Sequence, residues 1–422
     1  MLNNKEVNYS AMPKHPSNEI FGIKSKKLSG KNIVLGVTGS IAAVETVKLI
    51  HELLRHSATV YPVMTEAATQ IIAPEALQYA SGNKPITKLT GEVEHVALCG
   101  QVKDNADLLL IAPCTANTIS KIACGIDDTT VTTFATTAIG SKIPIIIVPA
   151  MHGSMYEHPI ILENVKRLQN KKLNIKFVHP VKSENKWKFP SIEKIVNMVI
   201  KELWQPDLKG KSVLIIAGAT AEPIDDMRIL TNRSTGYTGT SLAKLAYLRG
   251  AEVALWMGKS VINSDEYAIN EQFETADDLK RLVSKIKMDG KDSFDIIIVC
   301  AAISDYKVNK QIPGKLASGM KLLKLELVPT TKIIKIIRKK CPKSFLVGFK
   351  AESNQIDKRI INKAYERLTE WKLNMIIAND LKKVTEKTNQ IFIINLDKSY
   401  RKIKGDKELL AENIFDEILR QL

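Results

Sequence analysis

Two imidazoles and a handful of hydroxyl and amide side chains, each placed where an apolar run ends, carry the possible chemistry of the first half of this chain. His95 lies in GEVEHVALCG, among Glu92, Glu94 and short apolar residues. An imidazole titrates near neutral pH, so His95 either moves a proton at a carboxylate or thiol or serves as a structural histidine. Thr115 and Asn117 lie in DLLLIAPCTANT (107–118), where a five-residue apolar run is cut by Pro113. That pattern predicts a buried parallel strand opening into a helix cap, with a hydroxyl and an amide just beyond its carboxyl end. Open α/β sheets bind ligands there, although an ordinary capped strand has the same look. PAMHGSMY (149–156) puts His152, Ser154 and the thioethers of Met151 and Met155 directly after another apolar run. Gly39-Ser40-Ile41 opens a helical segment whose free N–H groups and Ser40 hydroxyl suit a phosphate. Thr65 either joins that ligand or caps the next helix.

The second half repeats the arrangement. AGATAEPIDDMRILTNRSTGYTG (217–239) is a strand, a glycine turn and an acid–proline step. In it Asp225, Asp226 and Arg228 read as a solvated loop with local ion pairs. Residues 232–239 hold the hydroxyls, amide and glycines that can wrap phosphate oxygens. FDIIIVCAAISDY sets Ala301, Ala302 and Asp305 after a buried run, where an acid can meet a ribose hydroxyl, a base amine or a divalent cation. Lys315, in IPGKLASG, reads as a mobile phosphate contact or a surface lysine. Phe349, in GFKAE, offers a ring on which a base could stack.

The elements that must position these groups alternate between strand and helix. Strands are expected at 32–37, 59–63, 107–112, 143–148 and 175–178. Helices are expected at 41–56, 66–72, after Ala73, 119–123, near 128–138, after Gly153 and at 191–204. A polar, Pro- and Gly-bearing joint, WQPDLKG (204–210), then restarts the pattern. Strands at 212–217, 252–256, 294–300, 345–348 and 375–378 alternate with helices at 238–249, 276–287, 331–340 and before Trp371. A hairpin (390–394 with 400–403) and a helix at 407–421 finish the chain. Each half should be a three-layer α/β domain with a mainly parallel sheet, and residues 1–30 a tail or a packing arm.

At 422 residues the chain is long enough for two or three cores. The longest apolar segment is too short to cross a bilayer and the polar N-terminus lacks a signal peptide's core, so a cytoplasmic protein is expected. Five cysteines without a C-x-x-C pair argue against a disulfide framework or zinc site. The net charge of +16 comes from lysines spread along the whole chain, which reads as a solvated surface or a field for anionic substrates rather than a nucleic-acid stripe. The reading from another class, a basic nucleotide- or nucleic-acid-binding protein without catalysis, predicts salt-sensitive binding.

GVTGSIAA, EHVALCGQVKDNADLLLIAPCTANT and VPAMHGSMY resemble, in order and spacing, the flavin-dependent cysteine decarboxylases, a family that includes phosphopantothenoylcysteine decarboxylase and the lantibiotic-processing decarboxylases. PCTANT resembles that family's PASANT box and PAMHGSMY its PxMNxxMW box. The resemblance spans about residues 31–204. It implies FMN held by Gly39, Ser40, Ile41, Thr65, Pro113, Thr115 and Asn117, substrate contact at Met151, and His95 as the active-site histidine. The implied reaction oxidises a cysteine thiol to a thioaldehyde, releases carbon dioxide and returns the electrons to give the thiol product. Two departures stand out: His152 replaces the box's asparagine, and the segment at the family's flap, 181–189 (VKSENKWKF), has no cysteine to return a proton. His152, Lys186 and Lys188 are the candidate substitutes, and a half that binds flavin as a scaffold without turnover is the alternative.

GATAEPID, ILTNRSTG, CAAISDY, PGKLAS, GFKAE and IIAND resemble, in matching order over about 209–422, phosphopantothenate–cysteine ligase. The resemblance implies Asn232 at an acyl-nucleotide intermediate. It places Ala301, Ala302, Asp305, Lys315, Thr330, Thr331, Lys332, Ile333 and Phe349 at the nucleotide. Arg367 and Lys372 fall at or beside the family's two later lysines, and Tyr237 stands where it has a basic residue. The implied chemistry is Mg2+- and CTP-dependent activation of 4'-phosphopantothenate, then attack by the amine of cysteine, giving phosphopantothenoylcysteine. Decarboxylase before ligase (1–30 extension, 31–204, 205–422) is the order of the bifunctional coenzyme A biosynthesis family of bacteria and archaea, and His152 points to archaeal members. That family implies two consecutive three-layer Rossmann-like domains. It also implies a homo-oligomer with trimers of the flavin half, dimers of the ligase half and so a dodecamer, and no nucleic-acid or membrane partner.

Overall fold

The strands that end at the candidate residues of the first half form one parallel sheet. In the computed structural model, which describes residues 15–183, 186–259, 269–287, 293–316, 322–385 and 388–422, these are β1 (Asn32–Val37), β2 (Thr59–Met64), β3 (Leu108–Cys114), β4 (Ile145–Pro149) and β5 (Ile175–Phe177), in the order β2-β1-β3-β4-β5. Every residue of β3 and β4 is buried, as parallel strands covered on both faces require. The helices are α1 (Thr46–Arg55), α2 (Glu66–Thr69), α3 (Pro74–Ser81), α4 (Glu94–Cys99), α5 (Ala116–Cys124), α6 (Thr130–Gly140), α7 (Gly153–Tyr156), α8 (Pro159–Leu168) and α9 (Ile192–Leu203). A small antiparallel hairpin joins β6 (Val181–Ser183) to β7 (Lys186–Lys188).

Local chemistry moves several expected boundaries. The helix expected at 41–56 begins as a 3-10 turn, Ile41–Glu45, and becomes α1 at Thr46. The helix expected at 66–72 stops at Thr69, because Pro74 forces Ala73 into an extended conformation and starts α3 at its own first position. Residues 15–30 form a packing arm: Leu28 is fully buried, and the N–H groups of Gly22 and Leu28 donate to the carbonyls of Leu54 and His56 at 2.9 Å each. Residues 1–14 of the expected extension lie outside the described residues.

The chain divides into two units at Trp204 and Gln205. The second unit holds β8 (Ser212–Ala217), β9 (Ala221–Pro223), β10 (Ile229–Thr231), α10 (Tyr237–Leu248), β11 (Glu252–Met257), β12 (Ile269–Gln272), α11 (Ala276–Lys285), β13 (Ile296–Val299), β14 (Tyr306–Val308), β15 (Leu327–Pro329), α12 (Ile333–Lys340), β16 (Phe345–Glu352), α13 (Asp357–Glu370), β17 (Met375–Asp380), β18 (Thr388–Asn395), β19 (Tyr400–Asp406) and α14 (Lys407–Gln421). Its eight-stranded sheet runs β12-β11-β8-β13-β16-β17-β18-β19 and is parallel up to β17, after which β18 and β19 add an antiparallel edge. The side chains of α11, α12 and α13 close one face in a core with Leu214, Ile297, Leu346 and Ile376. On the other face Gly239 of α10 lies so close to β8 that an added Cβ would fall 2.1 Å from the Ala217 Cβ. Two hairpins, β9–β10 and β14–β15, rise from the carboxyl edge. Both units are therefore three-layer α/β domains in succession.

Candidate functional site

In the first sheet the chain leaves β1 in one direction to build β2 and in the other to build β3 onward, so the crevice between the β1 and β3 ends is the switch point. Thr38, 1% exposed, stitches it shut. Its N–H and Oγ1 donate to the Pro113 carbonyl at 3.2 and 2.8 Å, and Oγ1 accepts the Thr115 N–H at 3.0 Å. The Ala112–Pro113 bond is cis. Gly39 passes so near α2 that a Cβ would sit 2.6 Å from the Ala67 Cβ. Ser40, Thr65 and Thr115 are the N-caps of the 3-10 turn, α2 and α5, accepting N–H groups of Ala42, Ala68 and Thr118 at 3.4, 3.2 and 3.3 Å. The capping reading of these hydroxyls thus describes their present bonds, and three helix starts open on one edge. Asn117, exposed in the first turn of α5, makes no side-chain hydrogen bond among the described residues.

Two more groups reach this edge. The Ala150 N–H donates to the Cys114 carbonyl at 2.9 Å, which draws the Met151–His152 turn after β4 against the end of β3. His152 is the N-cap of α7: its Nδ1 accepts the Ser154 N–H at 3.4 Å and lies 3.0 Å from Ser154 Oγ. With Nδ1 an acceptor, the neutral ring carries its proton on Nε2. The imidazole therefore does the capping work of an asparagine and still keeps an N–H to give. His95 is in the first turn of α4, edge-on to Phe134 of α6 at 6.4 Å between centroids. That helix starts at the same carboxyl edge, where Thr130 Oγ1 donates to the Met64 carbonyl at the end of β2 at 2.6 Å. His95 Nδ1 is buried and has no hydrogen-bond partner among the described residues.

The hairpin β6–β7 covers the segment that the resemblance puts at the flap. Trp187 packs on the backbone of Gly153, where an added Cβ would lie 2.7 Å from its Cδ1, and its Nε1 donates to Glu157 at 2.9 Å. Tyr156, at 5.2 Å between ring centroids, supports Trp187 and pairs its hydroxyl with His179 Nδ1 at 2.7 Å. The side chain of Lys186 lies outside the described residues, and Lys188 is exposed. Burial pushes the Cys99 thiol up to about 12 and raises Cys114 further, so both stay protonated.

The second sheet has its switch point between β8 and β13, and another buried threonine stitches it. Thr220, 0% exposed, donates its N–H to the Ala302 carbonyl at 3.4 Å, and its Oγ1 accepts the Ser304 N–H at 2.9 Å. Asn232 Nδ2 donates to the same Ala302 carbonyl at 3.2 Å, so Asn232, Ala301 and Ala302 come together as the sequence suggests. Asp305 is exposed and ion-paired with Lys332, while its carbonyl accepts the Thr330 N–H at 2.9 Å. This gathers Asp305, Thr330, Thr331 and Lys332 at the start of α12. The Ile333 side chain, 2% exposed, belongs to the core, so only its backbone faces the site. Phe349 is half-buried in the upper part of β16. Tyr237 starts α10 with its ring under Lys407 Nζ at 4.5 Å, which puts a cation where Tyr237 itself has none.

Arg367 and Lys372 do not join this set within one chain. The end of α13 leads into the amino end of β17, where Asn374 Oδ1 accepts the Leu346 N–H at 2.9 Å. Arg367 is bound to Glu370 and stacked on Trp371, at the edge opposite Asp305. Of the solvated-loop reading of Asp225, the loop and the local ion pair with Arg228 are present but the solvation is overturned: Asp225 is 2% exposed and accepts three backbone N–H groups. Sequence reasoning gave no role to Thr38 or Thr220, short polar residues just past β1 and β8, and took Asp225 as solvated.

Comparison with known proteins matches residues 22–204 to the flavoprotein family and residues 208–422 to the DNA/pantothenate metabolism flavoprotein C-terminal domain. The coenzyme A biosynthesis bifunctional protein of Thermococcus kodakarensis is 45% identical over 405 residues, covering 96% of this chain and 98% of the relative. That of Methanocaldococcus jannaschii is 40% identical over 408 residues, with 96% and 97% covered. A solved C-terminal domain of a coenzyme A biosynthesis bifunctional protein is 28% identical, covering 51% of this chain and 98% of its own, with a TM-score of 0.42.

Proposed function

The chain belongs to the family of bifunctional coenzyme A biosynthesis proteins, and we propose from that premise that it joins cysteine to 4'-phosphopantothenate and then decarboxylates the product to 4'-phosphopantetheine. The observation that carries the reading is the repeated construction of the two units. In each, a buried threonine locks a switch-point crevice beside helix starts, with a proton-moving or nucleotide-facing group next to it. The first crevice suits FMN, whose phosphate would lie at the Gly39–Ile41 start with Thr65, Pro113, Thr115 and Asn117 around the ring. When bound, the flavin supplies a reversible two-electron oxidation. The chain's own part is proton traffic and placement. His95 Nδ1, buried and unpartnered, is poised for a substrate group, and His152 Nε2–H stands in for the flap thiol. A half kept as a scaffold without turnover has no use for the unpartnered nitrogen of His95.

In the second unit the nucleotide is CTP. The substrate carboxylate displaces pyrophosphate to form an acyl-cytidylate. The amine of cysteine then attacks the acyl carbon, and CMP leaves. Asn232 is positioned to hold the acyl-nucleotide, with Lys315 and Lys332 facing its phosphates. Among the described residues no group of three or more His, Cys, Asp or Glu could cage a metal. Mg2+ is proposed to arrive with the nucleotide phosphates, whose oxygens are its usual ligands. No helix among the described residues is long and apolar enough to cross a membrane, and the proposed setting is the cytoplasm. A homo-oligomer, with a dodecamer of trimers and dimers as the family arrangement, is proposed from the family resemblance.

The test is direct. Purified protein should show a flavin absorbance spectrum, release pyrophosphate only with CTP, phosphopantothenate and cysteine together, and release carbon dioxide from phosphopantothenoylcysteine. A colourless protein without pyrophosphate release would overturn the proposal. Bound flavin with no carbon dioxide release would restore the scaffold.

A further inference from the structure

Lys315 is exposed, its ammonium group has no partner among the described residues, and the glycine before it has a left-handed backbone (φ +71°). A lysine on such a segment would ordinarily sample many positions, yet the backbone on both sides of it is fastened to the β9–β10 turn. The Gly314 carbonyl accepts the Asp226 N–H at 3.2 Å, the Ile312 N–H donates to the Ile224 carbonyl at 2.9 Å, and the Leu316 N–H donates to Asp225 Oδ2 at 2.9 Å. Asp225 is the centre of that fastening. Its Oδ1 accepts the N–H groups of Met227 and Arg228, closing the turn on itself, and its Oδ2 takes both Leu316 and the Arg228 guanidinium. Burial alone would raise the Asp225 carboxyl, but these donors outweigh it and hold the group down at about 2.

We propose that Asp225 is a positioning residue of the ligase half: it clasps the Lys315 arm onto the β9–β10 hairpin, so that Lys315 is placed for the nucleotide phosphates before the nucleotide arrives. The proposal rests on the reading of Lys315 as a phosphate contact. A charged acceptor buried beneath a backbone N–H is a stronger tie than a neutral one, and it spares the nucleotide the ordering of the arm. Loosening the clasp should therefore weaken nucleotide binding more than it slows the chemistry.

The experiment uses the full chain. Hydrogen exchange at residues 312–316 is measured without ligands, and pyrophosphate release is followed against CTP concentration. In Asp225→Asn the exchange should rise and the KM for CTP should increase, each about 10- to 100-fold, with kcat within about 3-fold. Leu316→Pro removes the donor while leaving Asp225 with Arg228, and should raise the KM in the same way if Asp225→Asn proves unstable. Lys315→Ala should lose activity with exchange unchanged. Unchanged exchange in Asp225→Asn, or an unchanged KM in Leu316→Pro, overturns the clasp. Wild-type kinetics in Lys315→Ala would instead remove the reading of Lys315, leaving the exchange result to judge the clasp by itself.

Discussion

Thr38 Oγ1 donates to the carbonyl of Pro113 at 2.8 Å, tying the end of β1 to the end of β3 across the crevice between them. The same oxygen receives the Thr115 N–H, so one buried hydroxyl satisfies a carbonyl and an amide at once. Thr38→Val keeps the shape and removes both bonds, leaving the Thr115 N–H without its acceptor. It should cost about 1–3 kcal/mol and lower the melting temperature by a few degrees. Flavin content per chain should fall with it. A thermal melt and the ratio of flavin to protein absorbance measure both; an unchanged ratio would mean the crevice does not depend on this stitch.

His95 and His152 should fail differently. His95→Gln keeps a polar side chain but loses the imidazole, and its loss should leave flavin bound while carbon dioxide release falls about 10²- to 10⁴-fold. The check is the rate per bound flavin. Ligation, measured as pyrophosphate release, should stay at the wild-type level because it belongs to the other unit.

His152→Asn is the sharper case, since asparagine is among the best N-caps and should keep α7 in place. Stability and flavin binding should hold, while loss of the Nε2 proton should slow decarboxylation about 10²-fold. His152→Ala should additionally cost about 1 kcal/mol from the lost cap. Full turnover in the asparagine variant would transfer the proton donor to another group of the flap.

The strand–helix alternation was readable because buried parallel strands appear as unbroken apolar runs such as DLLLIA and FDIIIV, ended by Pro, Gly or a cap. The joint at 204–210 was readable for the same reason. What escaped were contacts between segments far apart in sequence. Thr38 reads as part of a glycine turn, and only the pairing of β1 with β3 makes it a bridge to Pro113. Asp225 reads as one of several acids in a loop, and its bond to the distant Leu316 N–H is not legible there. The three-residue strands of the flap and of the β9–β10 and β14–β15 hairpins are too short to show a period. Arg367 and Lys372 show the reverse case within one chain. Counting along the chain placed them with the nucleotide set, whereas α13 carries them back to the other edge of the sheet.

The pair formed by Tyr156 and His179 sets a pH dependence for the first unit. The Tyr156 hydroxyl lies 2.7 Å from His179 Nδ1, and His179 stacks on Phe177 at 5.7 Å with its Nε2 3.1 Å from the Gln169 amide. Partial burial, and then the charge of Lys194, push the His179 pKa below its ordinary value. The unfolded chain therefore takes up the proton at higher pH than the folded one. The contribution of the pair is fully present above about 6.5 and is lost as pH falls through the lower folded value. Tyr156→Phe should destabilise the protein by about 1 kcal/mol at pH 7.5, and the gap between variant and wild type should narrow as the pH is lowered toward 5. His179→Gln should flatten the wild-type slope over the same interval. Because Trp187 rests on Tyr156, the same acidification should make the Trp187 fluorescence of a variant lacking the other three tryptophans shift toward that of an exposed indole. Melting curves across that pH range that run parallel for wild type and Tyr156→Phe would remove the pair from any part in holding the flap.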